Sequence, residues 1–210
     1  MAVSAIMQTI LGLFLIAIVL RFVYRFVIDF PPYPGKSPLQ GMKVDGLMGE
    51  DEFWALIDES RHRSRGNYPD QVARLTELLE HKRLNEIISF NMAFEALMAR
   101  VDRFRYWEPV YALNWGCSDD CFIDFRAWWI GQGKNKFYWS VRLPRLLYFF
   151  AVRDSVVEYE GLQYCAGDAY KNLNGREIPA TDIEYPELDD TVFNENYACL
   201  KYPEMAFLAW

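Results

Sequence analysis

The chain is poor in histidine and short of positive charge. His62 and His81 are its only histidines, and 22 Lys and Arg stand against 29 Asp and Glu, a formal charge of −7. That balance excludes a nonspecific nucleic-acid binder, which needs a basic surface to displace counterions from phosphates. No Lys or Arg occurs before Arg21, so the basic region that opens a cleaved signal peptide is missing. The sequence also lacks a phosphate loop, a Gly-x-Ser-x-Gly elbow and any spaced set of metal ligands, so no metal and no cofactor are expected. The four cysteines, Cys117, Cys121, Cys165 and Cys199, are too few for a disulfide framework in 210 residues and read as buried free thiols.

What the first thirty residues do contain is an uncharged apolar run from Val3 to Leu20, continued past Arg21 and Arg25 by Phe22, Val23, Phe26, Val27 and Ile28. About 18 to 20 helical residues match a hydrocarbon core of about 30 Å, and the two arginines can snorkel to the headgroups. The run predicts a single-pass anchor over residues 1–30, contacting the bilayer through residues 3–28. Arg21, Arg25 and Lys36 all flank its C-terminal end. By the positive-inside bias the following domain lies in the cytoplasm, at what would be a bacterial inner membrane. Residues 31–49 begin Pro-Pro-Tyr-Pro-Gly-Lys-Ser-Pro and read as an extended stalk.

Residues 50–178 carry helical periodicity. A helix is predicted from Glu50, with Phe53, Trp54, Leu56 and Ile57 inward, then a polar connection over 61–70 and a second helix starting at Pro69. From Leu84 to Phe104 the stripe Ile87, Phe90, Phe94, Leu97, Val101 steps by three and four, a core face. A short helix is expected at Glu108–Pro109. Another follows with Ser118 as N-cap, Asp119 and Asp120 in its first turn, and Gly131 or Gly133 at its end. Further helical stretches are expected over 136–139 and 153–173. The fold class is mainly α, one N-terminal transmembrane helix plus a compact multi-helix soluble domain, with short strands allowed at Val156–Val157 and near the C-terminus.

Residues 179–210 form a tail with seven carboxylates against Lys201 alone. Tyr185, Phe193, Tyr197, Tyr202, Phe207 and Trp210 make it too aromatic for a plain solubilising segment. It reads either as a strap packed back on the domain or as a partner-binding segment, with Tyr185, Asp189, Asp190, Phe193, Tyr197 and Trp210 as the partner-binding candidates.

The chemically suggestive cluster is Cys117, Asp119, Asp120, Asp124 and Arg126. Asp120 and Asp124 share a helix face, so each raises the other's pKa or both bind a metal. Cys117, just before a helix N-terminus, has the setting of an activated thiol. The structural reading of the same residues has the aspartates complementing a helix dipole, Asp120 or Asp124 pairing with Arg126 or Arg105, and Cys117 packing. No histidine lies nearby in sequence to act as base.

Phe53-Trp54-Ala55-Leu56-Ile57, then Gly116-Cys117-Ser118-Asp119-Asp120-Cys121-Phe122 running into Phe125-Arg126-Ala127-Trp128-Trp129-Ile130, together resemble a bacterial family of unknown function, DUF4240. Ala169-Tyr170 and Gly175 fit its closing helix, and the resemblance covers roughly residues 50–178. Trp129 departs from the usual Leu, the stretch from Arg142 to Phe150 is more apolar, and the anchor and tail are additions. The resemblance implies a helical fold and carries no activity. The expected function is a membrane-anchored, non-catalytic protein-binding module, in the manner of an immunity or accessory protein, with a protein partner and no nucleic acid. The alternatives are a membrane-bound enzyme using Cys117 and the aspartates, and a structural subunit of a membrane complex.

Overall fold

In the computed structural model, the described residues are 12, 15–16, 30–36, 46–64, 67–151, 160–188 and 193–208. The chain divides into two compact units, Met1–Tyr33 and Pro34–Trp210. Of the first, Gly12, Leu15 and Ile16 are helical and residues 30–33 are not. The expected anchor otherwise lies outside the described residues, among which no helix is long and apolar enough to cross a membrane.

The second unit is helical, with no strand among its described residues. Its elements are α1 (Glu50–Ser64), α2 (Tyr68–Glu80), α3 (Leu84–Arg100), α4 (Phe104–Asn114), α5 (Asp119–Gly131) and α6 (Lys134–Arg142). A 3₁₀ turn (Pro144–Phe149) leads towards α7 (Gly161–Asn174), and the chain ends in α8 (Glu195–Lys201) and α9 (Pro203–Leu208). Helix α2 packs on α1 and α7, α3 also rests on α7, and α4 carries both α8 and α9.

Helix α5 is central. It touches α1, α3, α4, α6 and α7, and from Asp124 to Gly131 every residue is buried. Apolar side chains on all its faces suit a helix surrounded by others. Around it Trp129 meets Tyr106, Phe125 and Phe137 at centroid distances of 5.4, 5.9 and 5.0 Å. The buried indoles keep their N–H groups satisfied: Trp54 donates to the Tyr138 hydroxyl at 2.8 Å, Trp128 to Tyr68 at 2.9 Å and Trp129 to Ser140 at 2.6 Å. Burial therefore costs these residues no hydrogen bond.

Local chemistry explains where the boundaries differ from the sequence expectations. Helix α1 continues to Ser64, and Ser60 and Ser64 return their hydroxyls to the Ile57 and Arg61 carbonyls, both at 2.8 Å, so neither polar group is left unpaired where it is buried. Asn67 then caps α2 by accepting from Asp70 N–H. Helix α3 stops at Arg100, before the expected Phe104, although Val101 still fills the core. The next helix begins at Phe104 rather than at Pro109, which sits inside α4, buried, without a donor for the Arg105 carbonyl. Residues 152–159, including the expected Val156–Val157 strand and the start of the last domain helix, lie outside the described residues. Among the described tail residues the short strands are replaced by α8 and α9, started by Asn194 accepting from Tyr197 N–H at 3.0 Å.

One glycine is demanded by geometry. Gly133, N-cap of α6, has φ +90, and an added Cβ would meet the Asp58 carboxylate at 2.3 Å. At the other end of the predicted stalk, Met48 is buried and its N–H donates to the Ser89 carbonyl at 3.0 Å.

Candidate functional site

Ser118 caps α5, its hydroxyl accepting from Cys121 N–H at 3.3 Å, with Asp119 and Asp120 exposed in the first turn. Carboxylates there complement the positive end of the helix. Cys117 and Cys121, read from sequence as free thiols, form a disulfide across this turn, with Cα atoms 5.3 Å apart. The Ser118 cap and the first turn of α5 bring them together, four residues apart, just after a left-handed Trp115 (φ 55) and Gly116 (φ +143). In this state Cys117 has no thiolate to offer as a nucleophile. Cys165 and Cys199 are free. Burial above all pushes the Cys165 thiol up to about 12, and burial also raises Cys199.

The remaining candidates separate onto two sides of α5. Asp124 is only 7% exposed, and burial first, then Glu160 and Asp120, raises its carboxyl to about 6. Of the two carboxylates that add to the rise at Asp124, Glu160 contributes more than Asp120. Among the described residues no His, Cys, Asp and Glu side chains group as a metal site.

Arg126 points elsewhere. Its Nη1 donates to the Met98 carbonyl at 3.0 Å and lies 3.2 Å from Asp102 Oδ2. The expected pairing of Arg126 with Asp120 or Asp124 is thus corrected to Asp102, which the turn between α3 and α4 delivers. Burial pushes the Arg126 guanidinium down and the Asp102 carboxyl up, outweighing their mutual attraction. A pair so desolvated fixes α5 to the α3 turn more by geometry than by net free energy.

The tail completes this side of the molecule. The Tyr185 ring lies 5.7 Å from the Arg126 guanidinium and its hydroxyl donates to Glu95. Burial and the Glu95 hydrogen bond push the Tyr185 phenol well above its usual range. Further on, Phe193 rests on an aromatic shelf of α4, at 5.2 Å from Phe104, 5.7 Å from Trp107 and 5.4 Å from Tyr111. Ala198, Tyr202 and Met205 are buried, Trp115 Nε1 donates to the Ala206 carbonyl at 3.1 Å, and Lys201 and Glu204 pair with Glu108 and Arg145. From Phe193 to Leu208 the tail is a docked strap. Asp189, Asp190 and Trp210 lie outside the described residues.

The strap docks by one face only. Tyr197 is 55% exposed, Leu200 78% and Phe207 83%, with Trp115 at 53% on the adjoining turn. Between α4 and α8 a cleft of about 390 Å³ is lined by Tyr111, Trp115, Glu195, Asn196, Cys199 and Leu200. A second groove of about 640 Å³ between α2 and α7, bordered by Val72, Thr76, Glu77, Gly161 and Asp168, contains none of the sequence candidates.

Sequence reasoning missed Asp102, Glu160, Glu95 and the shelf of Phe104, Trp107 and Tyr111. Each lies on a different element from its partner, and no spacing links them. Only the aromatic richness of the tail signalled that some apolar seat for it existed. A family model described as "Protein of unknown function (DUF4240)" matches residues 48–172. No curated protein and no solved structure matches the chain.

Proposed function

Because this chain belongs to the DUF4240 family, for which no activity is stated, we propose a role from its own surface: a membrane-anchored, non-catalytic protein-binding module. The observation that carries the reading is the half-docked strap, which leaves Tyr197, Leu200 and Phe207 displayed beside Trp115 within an acidic segment. Exposed apolar side chains rimmed by charge are the composition of a protein-contact surface. The partner is basic, steered by the carboxylates of residues 179–210, as an immunity or accessory protein would meet a cationic target. The apolar run over residues 3–28 tethers the domain to the inner membrane, and Arg21 and Arg25 hold it on the cytoplasmic side.

Affinity purification of the full chain in mild detergent tests the binding role. A stoichiometric partner is expected, retained by Asp120→Ala and lost in Leu200→Glu/Phe207→Glu; recovery of no such partner sinks the reading. For the tether, carbonate-washed membranes should keep the full chain and release one lacking residues 1–30.

One observation favours an enzyme instead. Asp124, raised to about 6 beside Asp120 and Glu160, has the protonation range of a general acid. That reading requires Asp124→Asn to abolish a turnover that Asp119→Asn leaves intact. It would also engage Cys117 only once the disulfide opens, when fast alkylation near neutral pH is its signature.

A further inference from the structure

The disulfide and the strap meet at the same turn. Cys117 offers its carbonyl to Trp107 Nε1 at 3.0 Å, and the Trp107 ring is one of the three on which Phe193 lies. Two residues before Cys117, Trp115 holds the strap's far end through its hydrogen bond to the Ala206 carbonyl. Trp115 does so from a left-handed backbone conformation that a side chain rarely adopts unless its surroundings impose it. The Cys117–Cys121 bond closes the turn that follows, so one covalent link restrains the residue whose carbonyl orients Trp107, two positions beyond the residue that grips Ala206.

We infer that the Cys117–Cys121 disulfide is a reducible latch for the C-terminal strap, exchanged by a dithiol reductant, and that reduction releases Phe193–Leu208 from the α4 shelf. Both sulfurs belong to residues that are only half-buried, next to exposed Ser118, Asp119 and Asp120, so an attacking thiolate has access. Attack on Cys117 Sγ breaks the S–S bond, forms a mixed disulfide and expels Cys121 as thiolate. That leaving group sits in the first turn of α5, with Asn114 Nδ2 3.7 Å from its sulfur. The reductant's second thiol then displaces Cys117, leaving two protein thiols and an oxidised reductant; two electrons and two protons have moved to the protein. The released shelf presents Phe104, Trp107 and Tyr111 in place of Phe193.

The latch rests on the docked strap and not on the identity of a partner. A chain that captures no partner yet releases its strap on reduction keeps the latch and loses the binding role.

Two free cysteines already in the chain report on it. Cys199 lies on α8 within the strap, half-buried, while Cys165 is fully buried on α7. The full chain in detergent is alkylated before and after treatment with dithiothreitol, and each cysteine is followed by peptide mass. Reduction is expected to speed Cys199 labelling roughly tenfold, with Cys165 unchanged. Cys117→Ser/Cys121→Ser should show the fast Cys199 rate without reductant, and amide exchange over 195–208 should quicken in parallel. A Cys199 rate indifferent to reduction overturns the proposal. So does a parallel rise at Cys165, which would mean the whole domain opens, or the absence of the disulfide in the purified, air-oxidised chain.

Discussion

Helix α5 and the C-terminal strap are both rich in aromatic residues, yet the fold treats them oppositely. In α5, Phe122, Phe125, Trp128 and Trp129 are all buried, surrounded by five other helices. Among the strap's described side chains only Ala198, Tyr202, Met205 and Ala206 are buried, while Tyr197, Leu200 and Phe207 face outward. The same residue types thus hold one region in place from every side and the other from one side. A segment docked by one face opens at lower cost than a helix whose every neighbour must move. That asymmetry fits a core that sets stability and a strap free to take part in exchange.

The largest effect that can sharpen this contrast is Trp129→Ala, expected to cost about 3–5 kcal/mol through lost burial and a residual cavity. Urea unfolding should show one transition shifted far to lower midpoint; a shift no larger than that of a strap variant would break the comparison. Next comes Arg126→Met, which leaves the half-buried Asp102 carboxylate without its partner, at about 2–4 kcal/mol. Adding Asp102→Asn should recover part of that loss, and strict additivity of the two would show that the pair is uncoupled.

Met205→Ala, which empties a fully buried position in the strap, should cost about 2 kcal/mol, felt locally. Amide exchange is expected to accelerate in 195–208 and stay unchanged in α5; equal acceleration in both would make strap and core one cooperative unit.

Asp124 gives a pH signature. Its folded pKa, about 6, is raised above the unfolded value of about 4, so burial favours the protonated form. Its contribution to stability is complete below the unfolded value and is lost as pH rises through about 6. Asp124→Asn should therefore stabilise the domain at pH 7 by about 1–2 kcal/mol and make little difference at pH 4. Midpoints that differ equally at both pH values would remove the titration. The smallest change is Glu204→Gln, which breaks a surface pair with the exposed Arg145 and should move the melting temperature by an amount worth about 0.5 kcal/mol or less.

The amino-acid sequence alone determined the features that depend on neighbours along the chain. The Ile87–Val101 stripe, the Ser118 cap with its two aspartates, Pro69 in a first helical turn and the family motif around Cys117–Ile130 are all local patterns. Their signals rest on helical period, capping and backbone geometry within a few residues. The placement of Asp120 and Asp124 one turn apart on the same helix was legible for the same reason. Tertiary structure alone decided what depends on approach through space. It gave Arg126 to Asp102, set Glu160 beside Asp124, and chose α4 as the seat for Phe193. Those pairings follow from how helices cross and which carboxylates survive desolvation, and both are properties of the packed chain as a whole.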